Sequence, residues 1–166
     1  FFDLYKFAKK HDLDLVKANY YEHSADGDVF QEPFAGFRYK KIFDPRIDQA
    51  ALSRLPIIWS ALYRREMIVR EGIRFNETPG ASYQDTSFVF QVWASARRAA
   101  ILPKGYLHYR VDNANSSVKS SAKIFAVCDE YKLSGDFIVS DPVKQRAFSK
   151  TLNYLKLGTY KWNYNR

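Results

Sequence analysis

Residues 75–88 read FNETPGASYQDTSF, and the rest of the chain is best interpreted outward from this stretch. Its first half is rich in turn-forming residues, with Pro79 and Gly80 side by side. From Phe88 to Ala96, apolar side chains recur at the spacing of one helical face. The pattern predicts a loop that leads into a helix over 86–98, with Asp85 where the loop becomes the helix.

Asp85 is the first candidate for chemistry. The free N–H groups and the positive dipole at a helix N-terminus stabilise a carboxylate, so the position predicts that Asp85 is ionised near neutral pH. A rigidly held, ionised carboxylate suits a general base, which takes a proton from an incoming hydroxyl. The position alone also fits an ordinary N-cap, the commonest role of an aspartate before a helix.

The remaining pattern predicts short helices that alternate with short strands, which is typical of an α/β fold. Before the central stretch, the predicted elements are a helix over 3–10, a strand over 13–21, a polar loop over 23–28, a strand or ordered loop over 34–43, a helix over 47–55, a strand over 57–63 and a helix over 64–71. After it, two strands are predicted over 99–102 and 106–109, around a turn at 103–105. A polar loop over 111–121 follows, and then two helices after 122 that Pro142 separates.

Composition bounds the class of protein. The 166 residues are enough for one domain with a real core, and 46% hydrophobic residues predict that the chain folds. Aromatic residues reach 17%, which fits either an aromatic core or the stacking surfaces of a sugar site. The single cysteine, Cys128, excludes an internal disulfide. No apolar run has the length of a membrane span and no signal peptide is visible, so the expected location is cytoplasmic.

The net charge of +8 is concentrated near the C-terminal end of the chain. Over 141–166, six basic residues stand against one acidic residue, with aromatic residues between them. This pattern fits a helix that binds an anionic membrane surface, at the inner face of the membrane, or nucleic acid. A membrane-surface helix predicts that Phe148, Leu152 and Leu155 share one exposed face. The alternative is an ordinary solvated basic face.

Two further segments flank the 75–88 stretch: WSALYRR over 59–65 and LPKGYLHYR over 102–110. In this order, the three segments resemble the second half of a family 2 glycosyltransferase with the GT-A fold. The resemblance covers roughly residues 1–120. It implies an α/β, mostly helical portion with a small sheet, the C-terminal part of a GT-A-like nucleotide-diphospho-sugar transferase domain. The acceptor-side half of that domain would occupy 1–121, and a helical tail would occupy 122–166.

The resemblance implies roles for residues on the acceptor side. Inverting family 2 enzymes open a helix with a Glu-Asp pair, whose aspartate deprotonates the acceptor hydroxyl, and Asp85 matches that base. Gln84 stands in place of the glutamate and can hydrogen-bond a sugar without charge. Tyr83 and Trp59 are implied to contact the acceptor, Trp59 because it matches the family's Trp-x-x-Leu-Tyr segment. For both rings the alternative is core packing.

The family's Tyr-x-Tyr-Arg run has its counterpart in YLHYR over 106–110. The resemblance implies that Arg110, together with His108, binds the diphosphate leaving group, for which a guanidinium offers paired donors. The alternatives are that Arg110 pairs with a structural acid and that His108 packs at a strand end. His108 has no metal-ligand company in the sequence, so no metal ligand is predicted.

The family's paired-aspartate metal motif stands just before a helix like that predicted over 3–10, and no such motif precedes it here. The resemblance therefore implies that Mn²⁺ or Mg²⁺, the nucleotide sugar and the glycan acceptor meet in an intact enzyme whose nucleotide-binding half lies outside these residues. The chain alone is then expected to be inactive, to bind no metal or donor, and to self-associate through an apolar surface over 1–22.

A different class is the alternative: a non-enzymatic basic module that binds nucleic acid or an anionic membrane surface. The charge distribution favours it. The sequence carries no nucleic-acid-binding motif, so nucleic acid is not the expected partner.

Overall fold

The computed structural model describes residues 1–54, 57–77, 83–113 and 125–165, which form a mixed α/β fold. In chain order the elements are α1 (Phe2–Lys10), β1 (Leu15–Ser24), β2 (Gly27–Gln31), a short 3₁₀ helix (Ala50–Ser53), β3 (Ala61–Tyr63), α2 (Arg65–Arg70), α3 (Gln84–Ser95), β4 (Ala99–Arg110), α4 (Ala126–Val139) and α5 (Pro142–Tyr164). The predicted combination of helices with a small sheet is confirmed.

β1 organises the sheet because each of the other three strands pairs with it. β2 and β3 are antiparallel to β1, and β4 is parallel to it. Leu15 pairs with both Tyr63 and Ala99, so β3 and β4 flank the start of β1. The C-terminal ends of the parallel strands β1 and β4 lie side by side, where His23 pairs with Arg110.

The sheet forms a middle layer between α1 and the other helices. Alternate residues of a strand face opposite sides, so β1 and β4 contribute to two cores. Leu15, Ala99 and Ile101 belong to the larger core, which α2 to α5 cover. The smaller core on the α1 side consists of Leu4, Leu13, Val16, Ala18, Ala100 and Leu102.

The turn predicted at 103–105 is wrong, because β4 runs through it as one strand. The pairing register with β1 shifts at this point, and the Asn19 side chain donates to the Pro103 carbonyl at 2.8 Å. Gly105 lies against the Tyr21 ring, where an added Cβ would come within 2.6 Å of a ring carbon. The proline and glycine therefore serve an irregular strand that approaches a ring closely.

The polar loop predicted over 23–28 is the tip of a β-hairpin. β1 continues to Ser24 and β2 begins at Gly27, which leaves Ala25 and Asp26 as the turn. Gly27 has φ of +115°, a conformation that favours glycine. Both faces of this tip are polar, so the alternation that reveals a half-buried strand is missing from the sequence.

Four other predictions have simpler outcomes. Of the helix predicted over 47–55, only the short 3₁₀ helix is observed, and of the strand predicted over 57–63, only β3. The 34–43 segment is an ordered loop. The helix over 64–71 is confirmed as α2, which Gly72 follows with φ of +63°.

The last two helices complete the larger core. Pro142 separates them as predicted, and the Asp141 carboxylate caps α5 by accepting from two backbone N–H groups of its first turn. Buried side chains of these helices pack with those of α3; they are Val127, Tyr131, Ile138, Phe148 and Leu152. The predicted tail over 122–166 thus shares a core with the region over 1–121, and the boundary between them lies outside the described residues.

The exposed apolar face predicted for a membrane-surface helix is wrong. Phe148 and Leu152 of α5 are buried, and Leu155 is partly buried against the same core. The apolar stripe of α5 is covered because the helix packs against α3 and α4. Within the described ranges, no helix has the length and apolar character needed to cross a membrane.

Residues 1–22 carry part of the apolar surface predicted for them. Phe1, Phe2 and Tyr5 are exposed on α1. β1 offers no free edge in its paired region, because β4 covers one side and β3 and β2 cover the other. Self-association through this surface stays a prediction.

Candidate functional site

Asp85 lies in the first turn of α3, at the helix start that the sequence predicts. The helix begins one residue earlier, at Gln84, and Tyr83 precedes it with a left-handed φ of +61°. The Tyr83 side chain makes no capping hydrogen bond, so the first-turn N–H groups need other acceptors. The Thr86 N–H donates to the Tyr83 carbonyl at 2.8 Å, and the backbone N–H groups of Asp85 and Thr86 lie close enough to the Asp85 carboxylate to lower its pKa.

The pKa of Asp85 is raised above its ordinary value, so its surroundings as a whole oppose the stabilising effect that the sequence predicts for the helix start; ionisation near neutral pH stays a prediction. Burial is the main cause, because removal from water disfavours the charged form. The two backbone donors lower the pKa but do not outweigh burial, and the nearby Glu130 carboxylate raises it further. A carboxylate with a raised pKa has a greater affinity for a proton, which favours general-base chemistry.

Glu130 of α4 is a second carboxylate, near enough to raise the pKa of Asp85, and it is not among the residues predicted from the sequence. It is 1% exposed and accepts hydrogen bonds from the Asn76 amide at 3.0 Å and from the Ser87 hydroxyl. Glu130 falls on the buried face of α4 that begins with Val127. An acid at core spacing in a helix was the available signal, since charged side chains are buried only when paired.

Tyr63 of β3 completes this group. Its pKa is raised, first by burial and then by the Asp85 carboxylate. The hydroxyl donates to the Ile58 carbonyl at 2.5 Å, and the ring meets Phe88 edge-on with centroids 5.5 Å apart. We use the name carboxylate cluster for the carboxylates of Asp85 and Glu130 together with the phenol of Tyr63. These groups come from α3, α4 and β3.

Gln84 and Tyr83, the predicted acceptor-binding residues beside Asp85, both contact other parts of the protein. The Gln84 amide donates to the Asn76 carbonyl at 2.9 Å. The Tyr83 hydroxyl donates to Oδ1 of Asn163, on α5, at 2.7 Å. These bonds tie the start of α3 to the preceding loop and to the last helix. The acceptor-binding roles stay predictions.

Tyr83→Phe is expected to lower the free energy of unfolding by roughly 1–3 kcal/mol, because it leaves the buried Asn163 carbonyl oxygen without this donor. Urea denaturation measures the change. Tyr154→Phe on an exposed face of α5 is the matched control, with an expected change within about 0.5 kcal/mol. Equal stability of the two variants would contradict a structural role for the Tyr83 hydroxyl.

Trp59 has the packing role that the sequence left open. It is partly buried, stacks on Tyr109 with centroids 4.7 Å apart, and meets Tyr20 edge-on at 4.6 Å. Tyr20 and Tyr109 belong to β1 and β4, so Trp59 covers one face of the sheet where these strands pair. Its contact with an acceptor stays a prediction.

His108 and Arg110 lie at the other end of the sheet from Tyr63, the last residue of β3. Tyr63 of the carboxylate cluster pairs with Leu15 at the start of β1, whereas Arg110 pairs with His23 near its end. At about 3.3 Å per residue, these two ends of β1 are roughly 25 Å apart. Among the described residues, the structure therefore does not join Arg110 and His108 to Asp85 as the resemblance implies.

Arg110 and His108 each lie next to an aspartate carboxylate. Arg110 is exposed and its Nε donates to the Asp112 carboxylate at 2.7 Å, which is the structural pairing considered from the sequence. His108 Nδ1 lies 2.9 Å from the Asp28 carboxylate. Most of the polar loop predicted over 111–121 lies outside the described residues.

A concavity of about 590 Å³ lies apart from these residues. Arg38, Lys41 and Arg54 line it, with the Phe37 and Phe43 rings. None of the site residues predicted from the sequence is among the residues that line it. It is a basic surface depression and does not belong to the carboxylate cluster.

Comparison with protein-family models finds no match to this chain, and comparison with curated proteins finds no similar sequence.

Proposed function

We propose that this chain is the acceptor-side, C-terminal portion of an inverting family 2 glycosyltransferase with the GT-A fold. The intact enzyme transfers a sugar from a nucleotide-sugar donor to an acceptor hydroxyl in the synthesis of a cell-surface polysaccharide. The nucleotide-binding half lies outside these residues. The order of the motifs over 59–65, 75–88 and 102–110 supports the assignment.

The observation that carries the proposal is the state of Asp85. It lies in the first turn of a helix and has a pKa raised by burial and by Glu130. In the reaction Asp85 takes the proton of the acceptor hydroxyl while the hydroxyl oxygen bonds to the anomeric carbon. The nucleoside diphosphate leaves with the electrons of the broken glycosidic bond, and inversion follows from a single displacement.

The other residues support this step in different degrees. Glu130 raises the proton affinity of the base and orders its surroundings through Asn76 and Ser87. The resemblance alone assigns Arg110 and His108 to the leaving diphosphate, and their position at the opposite end of β1 from Tyr63 leaves them no part in this step. A bound Mn²⁺ or Mg²⁺ would neutralise the leaving diphosphate, and its ligands are expected in the half that precedes α1.

The proposal is tested on the natural protein that contains this chain. That protein, supplied with Mn²⁺, a panel of nucleotide sugars and glycan acceptors, is expected to release nucleoside diphosphate in step with glycoside formation. The 166-residue chain alone is expected to show no binding of nucleotide sugars in titration calorimetry. Donor binding by the isolated chain at micromolar affinity would contradict the assignment of the nucleotide site to the other half.

The same preparations discriminate the alternative class. A basic binding module predicts binding to DNA or to anionic vesicles that weakens steeply with salt, without sugar transfer. Burial of the apolar stripe of α5 removes the feature on which the membrane version rested. If the natural protein transfers no sugar and binds DNA in a salt-dependent way, the glycosyltransferase proposal is overturned.

A further inference from the structure

His23, Asp28 and His108 converge at the hairpin end of the sheet, although 80 residues of sequence separate the last two. They come from β1, β2 and β4 respectively. One Asp28 oxygen lies 2.7 Å from His23 Nδ1 and the other lies 2.9 Å from His108 Nδ1. The candidate ligand atoms of all three residues lie within 4.8 Å of one another. No metal ligand is predicted near His108 from the sequence, and the fold brings His23 and Asp28 to it.

The sheet holds these side chains in a defined arrangement. His23 pairs with Asp28 across the hairpin, and Tyr21 pairs with His108 between the parallel strands. The His108 ring stacks on the Tyr21 ring, with centroids 4.9 Å apart and an angle of 16° between the planes. Ligands on paired strands lose little freedom when they bind an ion, so the site is largely preorganised.

Stability alone does not account for the group. The side chains are 52%, 39% and 55% exposed for His23, Asp28 and His108, and exposed ion pairs contribute about 0–1 kcal/mol. Two imidazoles around one carboxylate are, by contrast, a donor set that zinc-like ions prefer. The arrangement of these three side chains therefore fits a bound metal ion better than it fits a structural ion pair.

The distances allow an ion to replace the two hydrogen bonds. Bonds of about 2.0–2.1 Å in a tetrahedral site place neighbouring ligand atoms roughly 3.3 Å apart. The N–O distances of 2.7 and 2.9 Å need to open by only a few tenths of an ångström, which exposed side chains achieve by small rotations. When the ion binds at Nδ1, each neutral imidazole ring carries its single N–H on Nε2.

We propose that His23, Asp28 and His108 bind one divalent transition-metal ion of the zinc class, with a fourth position open to solvent. The site stands at the C-terminal ends of the parallel strands β1 and β4, the edge at which α/β sheets commonly bind ligands. It is separate from the Mn²⁺ or Mg²⁺ of the proposed enzyme, and it does not depend on that function.

The test uses the 166-residue chain without a histidine tag. Zn²⁺ is titrated by calorimetry, and Co²⁺ is titrated by visible absorption, which reports tetrahedral coordination. We expect one ion per chain. His23→Gln and His108→Gln should each weaken binding at least about 10-fold, since even residues that only orient metal ligands contribute 10- to 100-fold. His11→Gln is the matched control, because His11 directly follows α1 and packs against Phe7. The affinity of this variant for Zn²⁺ should equal that of the wild type.

Asp28→Asn is the second variant, and it preserves the size of the side chain at the hairpin. It should weaken Zn²⁺ binding comparably while circular dichroism shows an unchanged fold. Unchanged affinity in Asp28→Asn or in His108→Gln would overturn the proposal, as would loss of binding in His11→Gln. A wild-type chain with no saturable Zn²⁺ signal would overturn it as well.

Discussion

Asp85→Asn in the intact enzyme is expected to lower turnover by about 10²- to 10⁴-fold while the fold and donor binding are preserved. The amide has nearly the size of the carboxylate and still suits the start of a helix, so the stability change should not exceed about 1 kcal/mol. It cannot, however, take the proton of the acceptor hydroxyl. Turnover at saturating donor and acceptor, with donor affinity from calorimetry, measures the two effects separately.

The pH profile of turnover adds a second readout. Because Asp85 acts as a base only when deprotonated, and burial raises its pKa, the acid limb should lie above the range of an ordinary aspartate. Asp129→Asn is the matched control, since Asp129 also lies in the first turn of a helix but is exposed. Near-wild-type turnover in Asp85→Asn, with a small loss of stability, would show that Asp85 is only a structural residue of the helix start.

Lys17→Met is expected to stabilise the protein by roughly 2–4 kcal/mol at pH 7. Lys17 is 2% exposed in the middle of β1, and burial lowers its pKa from 10.5 to about 7. This corresponds to roughly 5 kcal/mol of lost stability at pH 7 and below. Its ammonium group donates to the Ile57 carbonyl, and losing that donor costs about 1–3 kcal/mol, which leaves the net gain.

The pH dependence has a definite sign. Between pH 7 and 10.5 the unfolded chain holds the Lys17 proton and the folded chain has lost it, so the free energy of unfolding rises with pH. Between pH 7 and 9.5 the rise should amount to roughly 3 kcal/mol in the wild type, and Lys17→Met should lack it. Above pH 10 the buried Tyr63, whose pKa is raised, acts in the opposite direction, so the comparison ends below that pH.

Urea denaturation at several pH values makes this measurement. Lys150→Met is the control, because Lys150 is exposed on α5, and it should change stability by no more than about 0.5 kcal/mol at any pH. If the Lys17→Met protein is less stable than the wild type at pH 7, burial of the Lys17 amino group does not destabilise the fold, and the prediction is wrong.

Local patterns in the sequence predict the positions of several helices. The apolar spacing after Asp85 predicts α3, Gly72 follows α2, and Pro142 separates the last two helices, all as observed. These signals are local, because a helix depends on contacts three or four residues apart and on the residues at its ends. The position of Asp85 at a helix start follows from the same kind of signal.

Signals that depend on a partner strand were misread. Pro103 and Gly105 resemble a turn, yet β4 continues through them because Asn19 accommodates the proline carbonyl and Tyr21 requires the absence of a Cβ. The residues at 23–28 resemble a polar loop, yet they pair with one another as a hairpin. Pairing across strands is decided by residues distant in sequence, so no local window contains it.

The sequence by itself determined that the chain is α/β, where its main helices lie, and that Asp85 stands at the start of one of them. Only the tertiary structure decided which groups surround those positions. It set Glu130 and Tyr63 near Asp85, buried Lys17 in the middle of β1, and gathered His23, Asp28 and His108 at one edge of the sheet. The physical reason is that proton affinity and metal binding depend on burial and on charges within a few ångströms, and chain packing alone sets those distances.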